Sequence, residues 1–299
     1  MNRIKGLVYG VISSSTFGLI PFFALPVLRS GVGVNSLVFY RFALSAILMG
    51  IILMLKHIDF RVNMKELGVL SALGLFYALT GILLTSSYLY LPSGIATTIH
   101  FLYPVVVTLI MIFFFKDKVS FLLITAIVMA ITGVYLMSSS GEGGMVSVKG
   151  LAIVLITVLT YALYIVGVNK SNVSKMDGLK LTFYVLLVGA VVFGINLLLH
   201  GESLDEIPDF NSGFHLVMLA LLPTLVSDFT LVLAVQNVGS TTTAVLGCME
   251  PLTAIVMGIL FFGEHINMLQ GIGMIVILVA VCVVILANSK ERMPVMKDE

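Results

Sequence analysis

Ten long apolar runs, separated by short polar or charged connections, fill almost the whole chain. They cover roughly residues 7–28, 34–55, 67–89, 93–115, 119–137, 150–169, 181–199, 214–236, 241–262 and 267–287. A helix needs about 20 residues to cross a hydrocarbon core about 30 Å thick, and these runs are 19 to 23 residues long. Membrane barrel strands alternate polar and apolar positions over about 10 residues; stretches such as Ile124 to Met137 are apolar on every face instead. Backbone groups find no water in lipid, so each run must close its own hydrogen bonds as a helix. The pattern predicts an all-α membrane protein with ten transmembrane helices. Arg3 and Lys5 before the first run look like the start of a signal peptide, but that run is about 22 residues long, contains Pro21 and Pro26, and leads into nine more. A retained first span is the expectation.

Composition supports this reading. Of the 299 residues, 59% are hydrophobic and 10% charged, and the mean hydropathy is +1.14, against about 45–50% and about 25% in ordinary globular domains. The net charge of +1 excludes a basic nucleic-acid binder. Cys248 and Cys282 both lie in apolar stretches, so neither a disulfide framework nor a thiolate metal site is indicated. The connections are too short to hold a soluble module.

The placement of charge is more informative than its sum. With the N-terminus inside, the inner segments carry Arg3, Lys5, Lys56, Arg61, Lys65, Lys116, Lys118, Lys170, Lys175, Lys180, Lys290, Arg292 and Lys297, whereas the outer segments carry Arg29 and Lys149. The positive-inside rule therefore places both termini in the cytoplasm. The outer connections hold Glu142, Glu202, Asp205, Glu206, Asp209 and Glu264.

The chain also repeats itself. An offset of 144 aligns Lys5-Gly6-Leu7 with Lys149-Gly150-Leu151, and Leu37, Phe39 and Tyr40 with Leu181, Phe183 and Tyr184. An offset of 147 then aligns Ser93 with Ser240, Pro104 with Pro251, Phe114-Phe115 with Phe261-Phe262, and Asp117 with Glu264. The expected division is 1–140 and 141–299, five spans each. An odd number of crossings makes the second half enter from the opposite side, so the two repeats are inverted about an axis in the membrane plane. Inverted repeats are typical of secondary transporters, whose substrate sits near the midplane between the halves.

Phe39-Tyr40-Arg41-Phe42-Ala43, Leu102-Tyr103-Pro104, Met249-Glu250-Pro251-Leu252, Phe262-Gly263-Glu264 and Gln270-Gly271-Ile272-Gly273 occur in this order across ten spans. Together they resemble the drug/metabolite transporter superfamily, in particular its EamA-like family, over essentially the whole chain. The resemblance implies a multi-pass carrier of the bacterial inner membrane that exports amino acids or related small metabolites. It also implies a central cavity bounded by both halves, with spans 5 and 10 peripheral. The turn Lys116-Asp117-Lys118 departs from the pattern, where the family more often has Glu.

Three charged residues lie inside spans. A charge at that depth is costly and usually faces a bundle interior or a wet cavity. Glu250, near the middle of span 9 and just before Pro251, reads as a protonatable or cation-binding carboxylate in the substrate path, which would suit proton coupling. The competing reading is a protonated Glu that ties two helices together. Asp228 in span 8 would attract a cationic or amine-bearing substrate, or else make a packing hydrogen bond or ion pair. Arg41 suits a substrate carboxylate but equally snorkels or pairs with an acid; the resemblance favours a structural role. His100, one turn before Pro104, is either a substrate contact or a histidine bonded to a carbonyl. Tyr77, Tyr103, Tyr161 and Tyr164 offer rings with polar tips at membrane depth, and Tyr103 aligns with Glu250. Thr97-Thr98 and Thr241-Thr242-Thr243 open spans 4 and 9 and are suited to hydrogen-bonding across helices or lining a path. The substrate-site candidates are thus Arg41, Tyr77, Thr97, His100, Tyr103, Tyr161, Asp228 and Glu250.

No HExxH, GxSxG, P-loop or dinucleotide-binding pattern is present, so no enzyme, cofactor or metal is expected. The expected function is a secondary transporter that exports a small metabolite by alternating access, as a monomer or homodimer. The rival is a flippase of a lipid-linked intermediate. The two differ in whether the polar side chains of spans 4, 8 and 9 converge on one site or line a groove facing lipid.

Overall fold

The computed structural model describes residues 3–116, 121–137, 147–199, 201 and 203–292, without the side chains at 232, 235, 236, 239–242, 244, 245 and 287–292. Every regular element among them is helical. Eight are long and apolar enough to cross a membrane and correspond to spans 1, 2, 3, 4, 6, 7, 8 and 10: Arg3–Arg29, Val34–Leu55, Met64–Ser87, Ser93–Phe115, Val148–Lys170, Gly178–Leu199, Phe210–Leu231 and Met268–Leu286. Two shorter apolar helices, Phe121–Met137 and Met249–Phe262, supply span 5 and most of span 9.

Several spans are interrupted, and proline accounts for most of the breaks. Span 1 consists of Arg3–Phe17 and Ile20–Arg29, with Pro21 in the first turn of the second piece. Span 4 consists of Ser93–His100 and Tyr103–Phe115, and Pro104 opens the second piece. Proline brings no backbone N–H and its ring crowds the preceding turn, so it is best tolerated where a helix starts. In span 8 the chain loosens into a π-helical segment at Leu221–Val226, around Pro223. In span 9 the helix stops at Leu246 and restarts at Met249, two residues before Pro251.

One boundary differs from the sequence reading. A break was expected between residues 236 and 241, yet the helix from Ser227 continues to Leu246. The first repeat has Pro92 at the corresponding junction, at the cap of Ser93–His100, and the second repeat has Gly239. Glycine weakens a helix, whereas proline removes a hydrogen bond and stops it.

The helices pack by exchange between the repeats. Span 1 packs along span 8, and span 6 along span 3. Span 2 meets span 7, span 4 meets span 9, and span 5 meets span 10. Individual contacts recur in the register read from the sequence. Gly6 packs against Asn237 and Val238, and Gly150 against Tyr90 and Leu91, so the offsets of 144 and 147 map one contact onto the other. Arg29 stacks over Phe262 and Lys170 over Phe115; the two phenylalanines correspond by the offset of 147, while the cations lie three residues out of register. Hydroxyl pairs join two of these couples, spans 1 and 8 and spans 3 and 6. Ser13 and Ser227 donate to one another's carbonyls at 2.8 and 3.0 Å, and Thr80 and Thr160 share a hydrogen bond of 2.7 Å. Lipid is as apolar as the helix faces, so close backbone approach at small residues and such polar pairs hold the bundle together. Spans 5 and 10 show this most directly: a Cβ on Gly133 would meet the Gly273 carbonyl, and one on Gly273 the Gly133 carbonyl.

Candidate functional site

The broken helices meet at mid-depth, and the polar residues predicted from sequence gather around the breaks. Glu250 lies in the first turn of the half-helix Met249–Phe262, and Tyr103 begins the corresponding half-helix of span 4. Gly18, at the break in span 1, lies against the Glu250 carbonyl, where any side chain would collide. Glycine is required there to let span 1 touch the break in span 9.

Four tyrosines from three spans form a continuous aromatic wall. Tyr161 and Tyr164 on span 6 stack with ring centres 5.7 Å apart. Tyr77 on span 3 lies 5.0 Å from Tyr164, and Tyr103 meets Tyr161 edge-on at 4.6 Å. The His100 ring joins at 5.2 Å from Tyr161. All four tyrosines are half-buried, so each keeps a free surface. The fields of Asp228, Arg41 and Glu250 all reach Tyr77, and that of Glu250 also reaches Tyr103 and Tyr161.

The charged residues that act on this wall come from spans 2, 8 and 9. Glu250 is only 7% exposed, and its Oε1 is buried with no hydrogen-bond partner among the described residues. Asp228 is half-buried at the start of the helix that follows the π-helical segment, within the field of Arg41. Arg41 is buried and donates from Nε to Thr224 Oγ1 at 3.4 Å. It therefore does not snorkel to the surface, and among the described residues it forks onto no carboxylate.

His100 is held by Thr157. The Thr157 hydroxyl uses its single proton on the Val154 carbonyl at 2.6 Å, so its contact of 2.9 Å with His100 Nδ1 has the ring as donor. The proton of the neutral imidazole is thereby fixed on Nδ1, leaving Nε2 as an acceptor. The partner is a hydroxyl on span 6 rather than the carbonyl considered from sequence. Thr97 is buried beside Tyr88, and Thr98 bonds back to the Gly94 carbonyl at 2.7 Å. Thr243 is buried, while the side chains of Thr241 and Thr242 lie outside the described residues.

Seven of the eight candidates thus come together between the repeats, and Thr97 is placed only beside Tyr88. Sequence reasoning placed Tyr164 at membrane depth but left it out of the site, although its spacing of three from Tyr161 puts both on one helix face. It missed Thr157 and Thr224, which hold His100 and Arg41; nothing in their surrounding sequence separates them from other helix threonines.

Both membrane faces carry bonds between the repeats. On the face opposite the termini, Glu264 accepts from the backbone N–H groups of Ser93 at 2.6 Å and Gly94 at 3.2 Å. There too, Gly33 N–H donates to the Asp205 carboxylate at 2.8 Å, and Tyr40 donates to the Asp205 carbonyl at 2.8 Å. On the face bearing the termini, Tyr184, the counterpart of Tyr40, donates to the Phe60 carbonyl. Lys180 reaches the Arg61 carbonyl there at 2.6 Å. Asp117, the counterpart of Glu264, lies outside the described residues.

Two cavities lie apart from the tyrosine wall. One, of about 380 Å³, is an apolar groove between spans 2 and 7 lined by Ala43, Ala46, Ile47, Gly50, Phe183 and Leu187, among others. The other, of about 590 Å³, opens at the face opposite the termini beside Ser36, Ser86, Ser203 and Asp205. None of the eight candidates lines either one.

A family model described as the EamA-like transporter family matches residues 4–139 and again 148–286. The chain belongs to the EamA-like transporter family. It is accordingly a multi-pass membrane protein. Two curated relatives carry the same reading. A protein of Archaeoglobus fulgidus named an uncharacterized transporter is 26% identical over 152 residues, covering 50% of this chain and 52% of its own length. The uncharacterized transporter YvbV of Bacillus subtilis is 26% identical over 227 residues, covering 73% of this chain and 69% of its own. The match to the archaeal protein thus spans about half of that relative. A solved crystal structure superposes with a TM-score of 0.69 at 14% identity, covering 98% of this chain and 100% of its own; that likeness concerns the fold alone.

Proposed function

We propose that this EamA-like protein exports a small metabolite, an amino acid or a related compound, across the cytoplasmic membrane by alternating access, with both termini in the cytoplasm. The observation that carries the proposal is the convergence of Arg41, Tyr77, His100, Tyr103, Tyr161, Asp228 and Glu250 on the mid-depth breaks of spans 4 and 9. Discontinuous helices at the interface of inverted repeats are where secondary transporters hold their substrates. Five spans of each repeat, residues 1–140 and 141–299, rock against one another around that fixed point. Bonds between the repeats at both faces supply contacts that can break alternately. Glu250 is the coupling group, taking up a proton or the substrate.

The flippase reading draws on the apolar groove between spans 2 and 7, which faces lipid. The groove carries no polar group to receive a headgroup, and the polar side chains gather elsewhere. Carrier function is therefore favoured.

The test is reconstitution into proteoliposomes with counterflow of labelled amino acids, amines and nucleobases. Glu250→Gln is expected to abolish export or flatten its pH dependence while leaving the protein folded. If the variant exports with an unchanged pH profile, Glu250 is not the coupling group. Tags at both ends should be reached by proteases from the cytoplasmic side only. Ends on opposite faces would overturn the inverted arrangement and the carrier with it.

A further inference from the structure

We infer that the site prefers a monoamine cation with an apolar or aromatic body over the zwitterionic amino acids the family resemblance suggests. This rests on the carrier reading and names the substrate class of the same site.

The first argument is the balance of charge. Among the described residues, the charged side chains around the tyrosine wall are Glu250 and Asp228 against Arg41. Once Glu250 has released the proton that the carrier reading gives it, and with Asp228 ionised, the site carries one surplus negative charge. A bound monoamine neutralises it. An amino acid, carrying both signs, leaves it uncompensated, and a carboxylate doubles it. An uncompensated charge at membrane depth is costly.

The second argument is the inventory of donors and acceptors. Glu250 Oε1 is buried without a hydrogen-bond partner among the described residues, and an ionised carboxylate only accepts. Asp228 lies in the field of Arg41, but Arg41 directs its Nε–H at Thr224. His100 spends its Nδ1 proton on Thr157 and offers only an acceptor beyond it. Donors are present in the tyrosine hydroxyls and in the other guanidinium N–H groups of Arg41, but none of them bonds Glu250 Oε1. An ammonium brings three donors and no acceptor, while a carboxylate brings acceptors alone.

The third argument is the wall itself. The faces of Tyr77, Tyr161 and Tyr164 attract cations through the negative charge of their π-systems, and this attraction strengthens when water is excluded. The same rings give an apolar body a flat surface to lie on. Neither property recognises a carboxylate.

The experiment compares three probes with the same phenylethyl skeleton: 2-phenylethylamine carries an ammonium, phenylalanine both charges, and 3-phenylpropionate a carboxylate. Binding to the full-length protein in nanodiscs is read by calorimetry, with a series of monoamines from ethylamine upward alongside. The amine is expected to bind at least tenfold more tightly than phenylalanine, with 3-phenylpropionate silent. Affinity should rise along the monoamine series with apolar area. Glu250→Gln should weaken amine binding at least tenfold without lowering the thermal midpoint of the empty protein. Tyr161→Leu, which keeps an apolar side chain but removes the π-face and the hydroxyl, should weaken it less, and more for the aromatic amines than for ethylamine. Phenylalanine or 3-phenylpropionate binding as tightly as the amine would overturn the inference. So would failure of the whole amine series to bind, or amine binding unchanged in Glu250→Gln. In parallel, Thr97→Cys in a Cys248→Ala/Cys282→Ala background is labelled with an impermeant thiol reagent from each side of the membrane. Labelling from both sides with no amine binding sinks only the substrate class; labelling from one side alone sinks the carrier reading.

Discussion

Glu264→Ala tests whether the two repeats are clasped shut on the face opposite the termini. The Glu264 carboxylate follows span 9 in the second repeat and holds the first two backbone N–H groups of span 4 in the first, at 2.6 and 3.2 Å. Those amides have no partner within their own helix, and a carboxylate there also meets the positive end of the helix dipole. The contact is close-fitting. A Cβ on Gly258 would strike the Glu264 carboxylate, and one on Gly94 would strike Ile255. Hydrogen bonds to a charged group contribute about 1.5–3 kcal/mol each. Here the carboxylate is half-buried and its second bond is long, so about 2 kcal/mol for the pair is a reasonable sum after discounting for solvent screening. That corresponds to a shift of about 30-fold in the balance between clasped and parted ends. The assay uses Ser93→Cys, whose side chain is 1% exposed, in a protein otherwise free of cysteine. An impermeant maleimide applied to that face should label it about 30-fold faster when Glu264 is Ala. Glu264→Gln, which keeps one accepting oxygen without charge, should fall between. Equal labelling rates with and without the carboxylate would refute the reasoning, provided the thermal midpoint shows both proteins folded.

Three further outcomes follow from the packing. Gly133→Leu should lower the unfolding free energy by about 2 kcal/mol or more, as overpacking does, because spans 5 and 10 touch backbone to backbone there. Gly271→Leu on the same span 10, where a Cβ meets nothing within 4 Å, should be nearly neutral in the same detergent melt. Tyr40→Phe and Tyr184→Phe each remove one bond between the repeats, on opposite faces, at about 1 kcal/mol apiece; cysteine labelling should shift about fivefold and in opposite directions. Cys248 and Cys282 have sulfurs 3.1 Å apart, so a diffusible thiol oxidant should join them within one chain, seen as a faster-migrating band that reductant removes.

Much of the frame was legible because lipid simplifies the code. A run of about 20 apolar residues in a bilayer has one solution, and the offsets of 144 and 147 return as physical contacts at Gly6 and Gly150. Pro104 and Pro251 marked where spans 4 and 9 break. The exchange that packs span 1 on span 8 and span 6 on span 3 was not legible. Soluble helices declare their buried face by amphipathic pattern, but here both faces are apolar, and partners are chosen by small residues and isolated hydroxyls such as Ser13 and Ser227. The unbroken helix from Ser227 to Leu246 escaped notice for a related reason: apolar composition alone cannot distinguish a glycine that a helix tolerates from one at which it turns. In the site, charge at depth gave away Arg41, Asp228 and Glu250. Tyr164 and the two supporting threonines had no such signal, since most tyrosines and threonines in membrane helices simply pack.

The symmetry of the frame and the asymmetry of the site have different physical origins. Alternating access requires two states of similar energy, and inverted repeats provide this because what one repeat does on one face the other does on the opposite face. If the protein alternates as proposed, the contacts that distinguish the states should be duplicated, and such a pair is present: Tyr40 with Asp205 against Tyr184 with Phe60. The solute is one molecule in one pose, so its contacts need no counterpart. By the offset of 147, Tyr103 corresponds to Glu250, Tyr77 to Thr224, and Gly81 to Asp228; an aromatic or small residue in one half faces a polar one in the other. On the proposed cycle these two classes respond differently to mutation. Loss of Glu250 or Asp228 weakens binding in both states alike and leaves their balance unchanged, because a group that serves both states equally shifts no equilibrium between them. Loss of Tyr40 or Glu264 tilts the balance while leaving the mid-depth contacts intact. Substrate affinity measured beside labelling from each face therefore separates the residues that recognise the solute from those that set which way the protein opens.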